Sequence, residues 1–199
     1  MIHQTKAFHL AIMALFIAIV IIQNFVPLLG YIPIGPLSLT IIQITVIIAA
    51  VLLGPTDGAI IGGVWGFLSC LRAFTAPTSP VEPLIFTNPL ISILPRILVG
   101  LAAGYLVIFF KKINLKPSLY LALIGLIGAL INTVLILGLI YIFYRTPSVA
   151  HAYGVSSPKY IAALLVAVIG SNGIPEAVLS AIATPLITLP ILRYWQRND

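Results

Sequence analysis

The sequence carries very little charge. Its ten lysines and arginines and four acidic residues make up only 7% of 199 residues, whereas about a quarter of the residues in soluble proteins are charged. So few charged side chains cannot form a water-facing surface, which excludes a soluble enzyme, a nucleic-acid-binding domain and a disordered chain. The 61% hydrophobic content and the mean hydropathy of +1.19 instead predict that most of the chain lies in lipid.

Sequence features of catalytic sites are also missing. Cys70 is the single cysteine, so no internal disulfide can form, and we expect it to be inert packing. No phosphate-binding Gly-x-x-x-x-Gly-Lys-Ser/Thr segment and no Gly-x-Ser-x-Gly turn occurs. His3, His9 and His151 are not spaced as metal ligands, and the acidic residues do not cluster. We therefore predict a protein that is not an enzyme and needs no cofactor.

Long apolar runs separated by charged residues, proline and glycine predict an all-α membrane protein. We expect a six-transmembrane-helix bundle that forms a single integral-membrane domain over residues 1–199. The first run lacks a small-x-small cleavage site after Ile22, so we treat it as a retained helix. The predicted helices span about residues 7–24, 37–53, 57–73, 89–110, 118–143 and 160–192.

The distribution of basic residues predicts that the N- and C-termini are cytoplasmic, because cytoplasmic loops are enriched in lysine and arginine. In this orientation, the inner side has six basic residues and the outer side three. The inner set is Lys6, Lys111, Lys112, Lys116, Arg193 and Arg197, and the outer set is Arg72, Arg145 and Lys159. The three outer connections, 24–36, 73–88 and 145–159, are long and proline-rich. They are either lids over a site that opens outward or plain connectors.

Polar residues inside membrane helices usually face the bundle interior or a cavity. Arg96 is followed by two glycines at four-residue steps, which predicts close approach of a neighbouring helix on that face. A second polar stripe occurs in the last helix at the same spacing. The two stripes are Arg96, Gly100, Gly104 and Asn172, Glu176, Ser180.

These polar residues predict a site for a small anionic or strongly polar organic molecule. Gln43, Trp65, Arg96, Asn132 and Asn172 fall in the outer half of the bundle, and Glu176 lies nearer the midplane. Arg96 can bind a carboxylate through two hydrogen bonds, and Trp65 can cover an apolar part of the ligand. Alternatively, Arg96 pairs with Glu176 and neutralises two buried charges.

Arg72, at the outer end of the third helix, is a second candidate for binding a carboxylate. Its position is more typical of an exposed arginine at the membrane surface.

Small residues form a strip along the first helix. Ala7, Ala11, Ala14 and Ala18 recur at steps of four, three and four residues, which keeps them on one face. Such a strip permits close contact between helices in lipid. Spacing alone favours packing inside this bundle over contact with another protein.

Several motifs, taken in order, resemble the substrate-binding S component of energy-coupling factor (ECF) vitamin transporters. The resemblance covers nearly the whole chain. The motifs are Ala7-Phe8-His9-Leu10-Ala11, Ile32-Pro33-Ile34-Gly35-Pro36-Leu37-Ser38, Leu53-Gly54-Pro55-Thr56-Asp57-Gly58-Ala59, Leu94-Pro95-Arg96-Ile97-Leu98-Val99-Gly100, Asn172-Gly173-Ile174-Pro175-Glu176 and Thr184-Pro185-Leu186.

The resemblance implies a vitamin-binding subunit in a prokaryotic plasma membrane. Its partners would be a transmembrane coupling subunit, two ATPase subunits and the lipid membrane, with no nucleic acid. It implies that the subunit topples in the membrane to release its cargo, and that the alanine strip contacts the coupling subunit. The Leu-Pro-Arg stretch is most similar to pantothenate-type members. Pyridoxine or hydroxymethylpyrimidine is the alternative, followed by the larger riboflavin and folate, and a non-transport membrane scaffold is the alternative of a different class.

Overall fold

The computed structural model describes residues 6–26, 28–34, 37–77 and 79–197. Within these ranges the chain is almost entirely helical, apart from one short hairpin. In chain order the elements are α1 (Lys6–Phe25), β1 (Tyr31–Ile34), β2 (Leu37–Thr40), α2 (Ile42–Leu53), α3 (Pro55–Thr75), α4 (Glu82–Ile85), α5 (Pro89–Ser92), α6 (Leu94–Lys112), α7 (Pro117–Phe143), α8 (Pro147–Ala152), a 3-10 turn (Pro158–Tyr160), α9 (Ile161–Val168), a π-helical turn (Ile169–Gly173) and α10 (Ile174–Arg197).

Five helical stretches in the described part of the chain are long and apolar enough to cross a membrane. They are Lys6–Phe25, Pro55–Thr75, Pro89–Lys112, Pro117–Phe143 and Pro158–Trp195. The remaining apolar helix, α2, has only 12 residues, nine of them buried, whereas about 20 residues are needed to span the bilayer. The structure therefore supports an all-α membrane protein, whereas the six-span count and the orientation stay predictions.

The predicted second helix, 37–53, is wrong at its beginning. Residues Leu37–Thr40 form β2, which pairs antiparallel with β1, and α2 begins only at Ile42. Hydropathy could not separate the two, because an apolar strand and an apolar helix give the same continuous run. The pairing brings Tyr31 opposite Thr40 at the base of the hairpin, beside the helices.

Helices α3 and α6 are in close contact through glycines. A Cβ atom on Gly62 would clash with the backbone carbonyl of Arg96, and one on Gly100 would clash with the backbone of Gly58. Gly104 lies equally close to the backbone of Pro55. The close approach predicted for Gly100 and Gly104 is thus observed, and it fixes the first turn of α6 against α3.

The last predicted helix, 160–192, is interrupted near Gly173. The chain makes a π-helical turn over Ile169–Gly173, in which the Ile174 N–H donates to the carbonyl of Ile169. Pro175 follows directly, and it has no N–H with which to continue an α-helical pattern. Such π-turns are frequent at functional sites because they redirect side chains locally.

Two buried apolar clusters support the connections and α1. One includes Val81, Ile91 and Ile161 and anchors the segments between the long helices. The other, which includes Val20 and Trp65, holds α1 against α2 and α3.

Candidate functional site

The long helices and the connections at one end of the bundle enclose a polar cavity of about 240 Å³. All three long connections contribute to its wall, through Tyr31, the segment from Ser79 to Phe86, and Tyr153. Their predicted gathering around one site is therefore observed. The lining residues are Tyr31, Thr40, Ser69, Arg72, Ser79, Val81, Glu82, Phe86, Arg96, Asn132, Thr133, Ile136, Leu137, Ile140, Tyr153, Val168, Asn172, Gly173 and Glu176.

Arg96 is buried in the cavity wall without an acidic partner. Its Nη1 donates to the carbonyl oxygen of Ile91 at 2.6 Å, and the guanidinium carbon lies 5.0 Å from the ring centre of Trp65 and 5.1 Å from that of Phe86. Its Nε has no hydrogen-bond partner. Among the described residues, no carboxylate lies within the 4.0 Å of an ion pair with Arg96. The alternative in which Arg96 pairs with Glu176 is therefore not observed.

Aromatic rings and one carbonyl hold the Arg96 charge in place but do not neutralise it. A cation–π contact stabilises a desolvated guanidinium by about 2 kcal/mol. A ligand carboxylate can satisfy the remaining N–H groups through charge-assisted hydrogen bonds.

A chain of hydrogen bonds forms the opposite wall. Glu176 accepts from the backbone N–H of Thr40 at 2.6 Å and from Nε2 of Gln43 at 3.3 Å. Oε1 of Gln43 accepts a hydrogen bond from Nδ2 of Asn132 at 3.1 Å. Asn132 Oδ1 is buried without a partner. This wall thus presents a carboxylate and an amide oxygen, both of which can accept hydrogen bonds.

Gln43 and Trp65 do not themselves line the cavity. Gln43 is fully buried behind the wall, and its amide is occupied by Glu176, Ser180 and Asn132. Trp65 is also fully buried, and it lies under the Arg96 guanidinium. Both residues therefore orient the groups that face the cavity, whereas Arg96, Asn132, Asn172, Glu176 and Arg72 reach it directly.

The prediction of an exposed Arg72 is wrong. The side chain is buried: Nη2 donates to Glu82 at 2.9 Å, Nη1 donates to the carbonyl of Asn24 at 3.3 Å, and the guanidinium lies 3.9 Å from the ring centre of Tyr31. Depth along α3 could not reveal this burial, because α4 folds back over the end of the helix and supplies Glu82.

Several cavity residues lie in the connections and cannot be predicted from helix faces. Tyr31, Thr40, Glu82, Phe86 and Tyr153 belong to the hairpin or to short segments between long helices. Burial raises the pKa of Tyr153 to about 12. Its hydroxyl is protonated at neutral pH, as in an ordinary tyrosine, and can donate a hydrogen bond to a ligand. The signal in the sequence was the proline-rich composition, which shows where a connection occurs but not which side chain turns inward.

The alanine strip of α1 lies on the outside of the bundle. Ala7, Ala11, Ala14 and Ala18 are all exposed, and α1 packs inward through other residues such as Val20. The preference for internal packing was therefore wrong. Near this strip, His9 lies 3.1 Å from Asp57 and joins α1 to the start of α3.

These features define a class: a helical membrane protein that encloses a polar cavity at one end. A family model described as ECF transporter, substrate-specific component, matches residues 8–188. The chain belongs to this family of substrate-specific components of ECF transporters, and the resemblance found in the sequence is confirmed.

Two relatives carry more specific names. The chain is 33% identical to the pantothenic acid transporter PanT of Lactococcus lactis subsp. cremoris over 98% of its own length and 99% of that protein. It is 44% identical to the pantothenate transporter PanT of Leuconostoc mesenteroides subsp. mesenteroides over 66% of its own length and 67% of that protein.

Proposed function

We propose that this chain is the high-affinity pantothenate-binding S component of an ECF importer. The observation that carries the proposal is the buried Arg96, which lies in the cavity wall without a carboxylate partner and with a free Nε–H group. Both relatives described above are named for pantothenate transport, which supports the same ligand.

The chemistry of pantothenate matches the two walls of the cavity. Its carboxylate fits the free N–H groups of Arg96, and its hydroxyl and amide N–H groups fit the acceptors Asn132 Oδ1 and Glu176. Asn172 and Thr133 lie on the same side and offer further polar contacts. The apolar residues between the walls, such as Ile136, fit the dimethyl centre of the molecule.

Pyridoxine and hydroxymethylpyrimidine fit less well. They carry no carboxylate, so binding them would leave the buried Arg96 charge unmatched, which is costly. Trp65, an aromatic side chain on which a flat ring could stack, is covered by Arg96 and is not open to the cavity.

The remaining partners and the topology complete the proposal. The exposed alanine strip of α1 contacts a transmembrane coupling subunit, and two ATPase subunits bound to that subunit hydrolyse ATP. Both termini lie in the cytoplasm, so the cavity opens to the outside of a bacterial plasma membrane. The excess of basic residues at the predicted inner side supports this orientation.

The role of Arg96 can be tested by comparing two ligands, one with and one without a carboxylate, in the unmodified protein and in an Arg96 variant. We expect Arg96→Ala to weaken pantothenate binding by about 2–5 kcal/mol in isothermal titration calorimetry, because a buried charge-assisted contact is lost. Pantothenol, which has a hydroxymethyl group in place of the carboxylate, should bind weakly and lose far less affinity in the same variant. Arg145→Ala removes an exposed arginine that stacks on Tyr141 and is the matched control.

The outcomes separate the alternatives. Equal losses for pantothenate and pantothenol would show that Arg96 does not bind the carboxylate. Mass spectrometry of small molecules released from the purified protein identifies the natural ligand. Recovery of pyridoxine would overturn the choice of vitamin, and a protein that neither carries nor captures a vitamin would favour the scaffold alternative.

A further inference from the structure

Helices α6 and α7 form an apolar groove on the side turned away from the polar cavity. The groove has a volume of about 510 Å³, and its lining includes Leu101, Ala102, Tyr105 and Ile131. At about 100° per residue, Tyr105 lies opposite Arg96 on α6. The same two helices thus present polar groups to the cavity and a groove to the outside of the bundle.

The groove faces the hydrocarbon of the membrane. Both helices belong to stretches that are long and apolar enough to cross the bilayer, and groove residues such as Tyr105, Leu130 and Val134 are exposed. Water does not fill an apolar groove at this depth, because it would find no hydrogen-bond partners there. The occupant must therefore be apolar where it lies in the groove.

Positive charge lies at one end of the groove. Lys112 follows Tyr105 by seven residues on α6, and Lys116 precedes Ile127 by 11 residues at the start of α7. Both intervals are close to whole numbers of helical turns. Each lysine therefore lies on the same face of its helix as the groove residues. They are exposed, as is Lys111, and none of the three makes an ion pair with a described residue.

We propose that this groove, together with Lys112 and Lys116, is a binding site for one anionic phospholipid. The phosphate lies between the two lysines, and an acyl chain passes the exposed Ile108 and Phe109 before it enters the groove. At a rise of about 1.5 Å per residue, Tyr105 is roughly 10 Å and Leu98 roughly 21 Å from Lys112 along α6. One leaflet contributes about half of the ~30 Å hydrocarbon thickness, so the end of the chain reaches the groove.

The charge of the site selects an anionic lipid over other occupants. A neutral acyl chain or an apolar partner helix would use the groove but would not need two unpaired lysines in line with it. Because the groove lies on the backs of α6 and α7, a bound lipid steadies the pair of helices that hold Arg96 and Asn132. The site does not depend on which vitamin the cavity takes.

Native mass spectrometry of the purified full-length protein tests the lipid site directly. We expect one phosphatidylglycerol to bind more tightly than phosphatidylcholine with the same acyl chains. Lys112→Gln with Lys116→Gln should abolish this preference, with about a fivefold loss of phosphatidylglycerol affinity for each lysine, since a basic residue near an anionic surface contributes about 1 kcal/mol. Ala102→Phe, which fills the groove, should weaken both lipids.

The matched control removes two exposed basic residues from the other end of the bundle. Arg145→Gln with Lys159→Gln should retain the preference of the unmodified protein. Equal affinity for the two lipids in the unmodified protein, or an unchanged preference in the Lys112 and Lys116 double variant, would overturn the proposal. So would an Ala102→Phe variant that binds lipid normally but no longer assembles with the coupling subunit, because the groove would then be a protein interface.

Discussion

Arg72 and Arg96 reach the same cavity in different electrostatic surroundings. Arg72 is paired with Glu82 at 2.9 Å and rests on the Tyr31 ring. Arg96 has only a backbone carbonyl and two aromatic rings. A buried charge without a counterion is expensive unless a ligand supplies one. We therefore expect Arg72 to stabilise the fold, whereas the proposed ligand contact is with Arg96.

The Arg72–Glu82 pair should stabilise the connection that covers the cavity. We expect Glu82→Gln to lower the midpoint of thermal unfolding, because removing one partner of a buried ion pair leaves the other charge uncompensated at a cost of about 3–5 kcal/mol. The measurement is thermal unfolding of the detergent-solubilised protein without ligand. The double variant Arg72→Met with Glu82→Leu should recover most of the loss. An unchanged midpoint in Glu82→Gln would show that the pair contributes little.

At the scale of single residues, the sequence was informative about helices and uninformative about connections. The four-residue spacing of Asn172 and Glu176 predicted one face, and both line the cavity. Glu82 gave no such signal, because its position depends on how α4 folds back over α3. Trp65 packs against Arg96, but a predicted depth does not show whether a side chain lines the cavity or lies behind its wall.

At the scale of elements, the contact between α3 and α6 sets the position of Arg96. A methyl group on Gly62 would meet the Arg96 carbonyl, whereas one on Gly63 would meet only the Ile97 side chain at 3.4 Å. We expect Gly62→Ala to push the start of α6 outward and cost about 1–3 kcal/mol, as overpacking does. Both the unfolding midpoint and pantothenate affinity should fall.

Gly63→Ala is the matched control for this prediction, because the two glycines are adjacent on the same helix. It should change neither quantity appreciably. If both variants bind pantothenate as the unmodified protein does, the close approach of α3 and α6 does not control the site.

Helix positions were predictable because apolar runs have a length scale set by the bilayer, and the bounds of α7 agree closely with the predicted 118–143. The hairpin and the π-turn could not be predicted from the length of apolar runs. The four residues Leu37–Thr40 adjoin the apolar run of α2 and are too few to predict a separate strand, and Pro175 signals a break without specifying a π-turn. Local geometry there follows from tertiary contacts that hydropathy does not record.

At the scale of the whole molecule, α1 presents an exposed face of small residues. We expect Ala7→Trp and Ala14→Trp to block assembly with the coupling subunit, because an indole would hold the two helices apart. Co-purification of the partner subunits measures assembly, and calorimetry should show unchanged pantothenate binding. Ile142→Trp, at another exposed apolar position, is the control and should assemble normally. Loss of pantothenate binding in both alanine variants would mean that the strip supports the fold instead.

The hydrogen bond from Thr40 to Glu176 joins positions 136 residues apart. The cavity therefore has no complete wall until the chain has been synthesised at least as far as Glu176 and the start of α10 has packed against the hairpin. Before that point the guanidinium of Arg96 lacks its surrounding walls, and its burial in hydrocarbon is unfavourable. The binding site can therefore form only late in folding, after residues far apart in the sequence have come together.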